Sequence, residues 1–120
     1  MQTKKAEDNR YQVKRGELYW VHLGDENIGS EQNGNRPCVI IQNDTGNKYS
    51  MTTIVALITS RKKNNLPTHI LVEEILYKKS TIMCEQIRTI DCRRIGEYIG
   101  FLNEEIMKEV DKSLRISLGL

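Results

Sequence analysis

The apolar residues of this chain fall into short runs separated by polar, glycine-rich stretches. ELYWVHL (17–23) alternates Leu18, Trp20 and His22 against Tyr19, Val21 and Leu23, the period of a strand with both faces partly covered. PCVIIQ (37–42) is a β-branched run bounded by Pro37 and by NDTGN, and its length suits a central strand rather than a helix. TTIVALIT (52–59), THILVEE (68–74), STIMCEQIRTI (80–90) and IGEYIGFL (95–102) predict further strands, with ILYKK joining the second and third of these. GDENIGSEQNGNR (24–36) and SRKKNNLP (60–67) read as loops, NDTGNKYS (43–50) as turn material, and DCRRI (91–95) as one helical turn or a tight bend.

At position 103 the period changes. Asn103 is a candidate N-cap, and Glu104 and Glu105 sit where a helix dipole favours acids. Ile106, Val110, Leu114 and Leu118 then recur every fourth residue beside Met107, with Lys108, Lys112 and Arg115 on the polar face. Five or six short strands followed by one helix predict a mainly β fold, a small β-barrel carrying a C-terminal helix. A single domain over 13–120 follows a polar tail over 1–12, in which Lys4, Lys5 and Arg10 are solvated. Strands this apolar need cover on both faces and one helix supplies little, so the pattern predicts a homodimer.

Composition narrows the function classes. The chain has 120 residues, 38% hydrophobic and 28% charged, enough for one core. A net charge of +2 admits a polyanionic partner without demanding one. Cys38, Cys84 and Cys92 are widely spaced and lack zinc-ligand grouping, so they read as free thiols of a reducing cytosol, with no metal or cofactor expected. No apolar run reaches membrane-spanning length and MQTKKAEDNR has no hydrophobic signal segment, which predicts a cytoplasmic protein.

Ordinary catalytic motifs are missing: there are two histidines, no GxSxG, no Walker loop and no HExxH. His22 and His69 read as hydrogen-bonded structural residues, since neither has a carboxylate close by in sequence. Polar residues at strand ends remain: Arg36 entering one strand, Thr59 leaving another, and Glu85, Gln86 and Arg88 within a third. Strand ends hold side chains rigidly toward loops. Arginine offers a planar fork for phosphate, threonine a hydroxyl, glutamine a donor and an acceptor, and glutamate an acceptor or base. Arg36 serves equally as a cap for its own glycine-rich loop, and Arg88 is expected to pair with Asp91 or Glu85. Arg61, Lys62 and Lys63 form a basic loop able to solvate or to track a phosphate backbone.

VKRGELYWVHL, GSEQNGNRPCVIIQND, GNKYS, TTIVALIT, LPTHILV, CEQIRTID and DKSLRISLGL resemble, in order and spacing from about Val13 to Leu120, the MazF/PemK family of toxin-antitoxin endoribonucleases. The resemblance implies an SH3-like barrel with a C-terminal helix, dimeric, whose groove holds single-stranded RNA. It implies metal-independent cleavage of mRNA at a short motif, giving a 2′,3′-cyclic phosphate and a 5′-hydroxyl. Arg36 and Thr59 fall on the catalytic pair of the MazF branch. The PemK branch has a histidine where this chain has Ser30, and an arginine and an aspartate where it has Met83 and Glu85. RNA contacts then fall to Ser30, Glu31, Gln32, Asn33, Arg61, Lys62, Glu85 and Gln86, with Glu31, His22 and Glu85 as candidate proton acceptors and Arg88 and Asp91 structural or at the dimer interface. A MazE-like acidic antitoxin in the same groove is the implied partner. Two other readings compete: a non-enzymatic gyrase inhibitor resembling CcdB, and a non-catalytic SH3-like module binding peptide or RNA.

Overall fold

The computed structural model describes residues 12–24, 34–61 and 65–120; the expected tail as far as residue 11, Ser30 to Asn33, Lys62 and Lys63 lie outside them. Six strands are present: β1 Glu17–His22, β2 Asn35–Ile40, β3 Thr52–Thr59, β4 His69–Ile75, β5 Lys78–Asp91 and β6 Ile95–Phe101. They form one antiparallel sheet in the order β4-β5-β3-β2-β1-β6. The expected mainly β fold with a C-terminal helix is present, but the sheet of the expected small barrel is not closed by hydrogen bonds: β4 and β6 are its edges.

Alternation along β3 explains why both faces are dry. Val55 and Leu57 enter one cluster with Tyr19, Val21, Cys38, Ile40 and Met83. Ala56 and Ile58 enter the other with Val39, Ile82, Cys84 and Val110. Both clusters contain residues with no exposed surface, each large one contributing about 1.5–3 kcal/mol. The second is covered by α2 (Glu104–Leu118), whose Ile106, Met107 and Leu114 lie against it. That helix begins as expected, with Asn103 Oδ1 accepting from the Ile106 N–H at 2.9 Å, and ends at Gly119 in the left-handed region. Arg15 ties it to the sheet through a 2.7 Å ion pair with Asp111.

β5 is bent by a register shift. Ala56 faces Ile87 but the next residue, Leu57, faces Met83. Cys84, Glu85 and Gln86 therefore oppose nothing on β3, a bulge that turns the strand and lets its first half pair with β4.

Two expectations are corrected. NDTGNKYS is not merely a turn: Asp44–Tyr49 is a helix, α1, capped by Asn43, whose Oδ1 accepts from the Gly46 N–H at 2.7 Å. Its Asn47 is buried and makes four bonds: Nδ2 donates to Gln42 O and Asp44 Oδ1, and Oδ1 accepts from Gln42 Nε2 and from Thr53 Oγ1, the last at 2.7 Å. These contacts, rather than propensity, hold a sequence containing Gly46 helical. β2 also starts two residues before Pro37, which places Arg36 within the strand, opposite Val21.

Candidate nucleic-acid interface

Pro37 has no N–H to give, and the β2–β3 ladder stops at the pair Cys38–Leu57. Beyond that pair the strands part around a cleft of about 400 Å³. Arg36 and Thr59, each two residues past the last pair on its own strand, both line this opening. Trp20, Asn35, Ser60, Arg61, Lys78 and Ser80 share it. Arg36 is half-buried, and Thr59 is buried with its hydroxyl oxygen accepting from the Arg61 N–H at 3.1 Å. That bond leaves the threonine its own hydrogen to donate. Among the described residues, neither a carboxylate nor an imidazole lines this central cleft.

Ser60 and Arg61 also border a side cleft of about 550 Å³, where Lys79, Asn65, His69 and Thr81 add to the lining. Arg36, Arg61, Lys78 and Lys79 thus set cations along two adjoining hollows. The lysines come from ILYKK, the stretch joining β4 to β5, whose sequence reads as a connection. Its basic pair was the available signal.

The remaining site candidates lie elsewhere. Glu85 borders neither cleft; its Oε1 accepts from Thr68 Oγ1 at 2.8 Å and its Oε2 pairs with His69 Nε2 at 2.9 Å. His69 thus meets a carboxylate that stands sixteen residues away in sequence. The Leu66 N–H donates to its Nδ1 at 3.4 Å, which leaves the proton on Nε2 facing the acid. His22 is exposed, with Nδ1 3.1 Å from Asn35 Oδ1. Arg88 Nη1 donates to Leu23 O at 3.4 Å. Asp91 is bound instead by Arg93, through its backbone N–H and both arms of its guanidinium, which lowers the carboxyl to about 2. Gln86 is half-buried and lines neither cleft.

A family model for the PemK-like, MazF-like toxin of type II toxin-antitoxin systems matches residues 14–118. The chain belongs to this toxin family. Solved structures similar to this MazF-like toxin share its fold. An endoribonuclease in complex with its cognate antitoxin, from a mycobacterial species, is 22% identical over 90% of this chain and 96% of its own, with a TM-score of 0.75. MazF from Deinococcus radiodurans is 23% identical over 92% of this chain and 99% of its own, with a TM-score of 0.78. A MazE–MazF structure from the same organism gives 24%, 92%, 98% and 0.73.

In this MazF-like toxin the Glu85 contacts carry a pH signature. Burial pushes its carboxyl up, but the bonds from His69, Thr68 and the backbone outweigh burial and hold it below the ordinary glutamate value. A depressed folded-state value stabilises the fold above the unfolded value and ceases to do so as pH falls through the folded one. Urea unfolding followed from about pH 6 to about pH 3 is expected to show a steeper acid loss in the wild type than in Glu85→Gln.

Proposed function

We propose that this chain is a metal-independent endoribonuclease that cuts single-stranded mRNA at a short sequence and thereby arrests translation and growth. The observation that carries the reading is the meeting of Arg36 and Thr59 at one cleft with Arg61 and Lys78 beside them. In-line transesterification places negative charge on the non-bridging oxygens as the 2′-oxygen bonds to phosphorus. Preorganised donors aimed at that charge stabilise it most. Arg36 supplies the planar fork and Thr59 a hydroxyl fixed by the Arg61 N–H. The 2′-hydroxyl loses its proton, the phosphorus bond to the 5′-oxygen breaks, and that oxygen gains a proton, leaving a 2′,3′-cyclic phosphate and a 5′-hydroxyl. A guanidinium, which carries donors and no acceptor, is an electrostatic stabiliser here rather than a base.

Ser30 to Asn33 and Lys62, in the loops that flank the cleft in sequence, are the proposed base and backbone contacts. The working unit is a homodimer in the cytoplasm, which supplies cover for Leu71 on the β4 edge and Phe101 on the β6 edge, exposed at 69% and 72%. The partner is an acidic antitoxin whose extended segment competes for the cationic clefts. An antitoxin-bound relative of the same fold supports this.

Purified protein mixed with a long unstructured RNA in EDTA is expected to release discrete fragments bearing 5′-hydroxyl ends, so that polynucleotide kinase labels them without prior phosphatase. Fragments that appear only with magnesium, or that carry 5′-phosphates, overturn the mechanism. Intact RNA together with stabilised gyrase–DNA complexes overturns the activity itself.

A further inference from the structure

The turn joining β4 to β5 is built from residues that turns avoid. Ile75 pairs with Lys78, so Leu76 and Tyr77 are the two central residues of a tight hairpin, with φ of 55° and 63°. Two-residue hairpins of this hand favour asparagine and glycine, because a bulky side chain at positive φ crowds its own backbone. Backbone strain of this kind is retained where the displayed side chain has a use.

Tyr77 is 91% exposed and lines a third hollow, of about 360 Å³, with Trp20, Leu76, Glu97, Tyr98 and Ile99. Trp20 and Leu76 also line the central cleft, so the two hollows adjoin. Their charges differ. The central cleft has Arg36, Arg61 and Lys78, whereas among the described residues none lining the third hollow is cationic and one, Glu97, is acidic. A phosphate belongs in the first and is repelled from the second. A nucleobase suits the second, since aromatic faces stack on any base and a carboxylate accepts from exocyclic amino groups. The Tyr98 ring packs T-shaped against Tyr19, centroids 5.5 Å apart; the other two aromatic rings of the hollow, Trp20 and Tyr77, are the candidate stacking pair.

We infer that the Trp20–Tyr77 hollow is a base-stacking subsite that receives an unpaired nucleobase adjoining the nucleotide whose phosphate lies at Arg36. The inference rests on the RNA-cleaving reading above and adds a specificity determinant outside the two loops.

The test uses the full chain. After the wild-type cut is mapped, 2′-O-methyl oligonucleotides spanning it carry an abasic nucleotide at each flanking position in turn, and binding is read from the emission of Trp20, the chain's one tryptophan. At one position, loss of the base is expected to weaken wild-type binding by about 5- to 100-fold. Tyr77→Gly is expected to bind intact RNA more weakly by a similar factor and to be indifferent to the abasic site. Because glycine suits positive φ, this variant should melt no lower than wild type. Tyr77→Asn, tolerated at the same φ, should behave likewise. Wild-type affinity and abasic sensitivity in both variants overturn the subsite while leaving the ribonuclease reading intact. Unchanged RNA binding with loss of an acidic antitoxin peptide assigns the hollow to a protein and overturns it too. A wild type that neither binds nor cuts RNA fails at the earlier reading.

Discussion

Replacing Arg36 with alanine is expected to lower single-turnover RNA cleavage by a factor on the order of 10²–10³, the usual loss when one donor to a developing oxyanion is removed. The fold should tolerate the change. Arg36 sits at the outer end of β2, past the last β2–β3 pair, and its strand neighbours Cys38, Val39 and Ile40 carry the burial. The far-UV spectrum and the melting temperature of Arg36→Ala should therefore stay close to wild type. Arg36→Lys restores the charge but not the two-pronged geometry, so partial recovery is expected. Thr59→Val, which keeps the shape and removes the hydroxyl, should show a smaller loss. An Arg36→Ala protein that folds and cuts at the wild-type rate overturns the assignment.

The second large effect concerns stability. Asn47→Ala is expected to cost about 2–4 kcal/mol, because it removes a hub of four hydrogen bonds and strands the hydroxyl of Thr53, which has no exposed surface. Adding Thr53→Val removes the stranded donor and should recover part of the loss, a coupling read from urea midpoints in a double-mutant cycle. All four proteins must be compared at one concentration, since the proposed homodimer makes apparent stability concentration-dependent. A cost near zero for Asn47→Ala shows that α1 is dispensable to the sheet it caps.

The strands and the last helix were legible because their signals are local. TTIVALIT spans β3 from end to end, and Asn103 caps α2 where the period changes. Arg36 and Thr59 were legible as strand-end residues, and the structure sets both at one cleft. What escaped the sequence depends on contacts between distant positions. α1 holds a poor helix former because Asn47 reaches into the sheet. His69 meets Glu85 only because the hairpin folds back and the bulge turns β5. The Leu76–Tyr77 turn carries none of the residues that mark turns, so it read as a connection between strands. The placement of β2 shifted by two residues because Pro37 looks like a strand boundary, whereas here it pairs with Trp20 on one side and ends the ladder on the other.

The three thiols are all buried, and burial pushes Cys38 up to about 12 and Cys84 up to about 11. At neutral pH Cys38 and Cys84 are expected to resist both oxidants and alkylating reagents, because the thiolate is the reactive form, and Cys92 is shielded by burial. Each also marks a different part of the molecule: Cys38 the last β2–β3 pair, Cys84 the bulge of β5, and Cys92 the turn before β6. The order in which they take up a maleimide therefore dates the opening of three regions separately, giving a native-state clock for breathing that needs no engineered label.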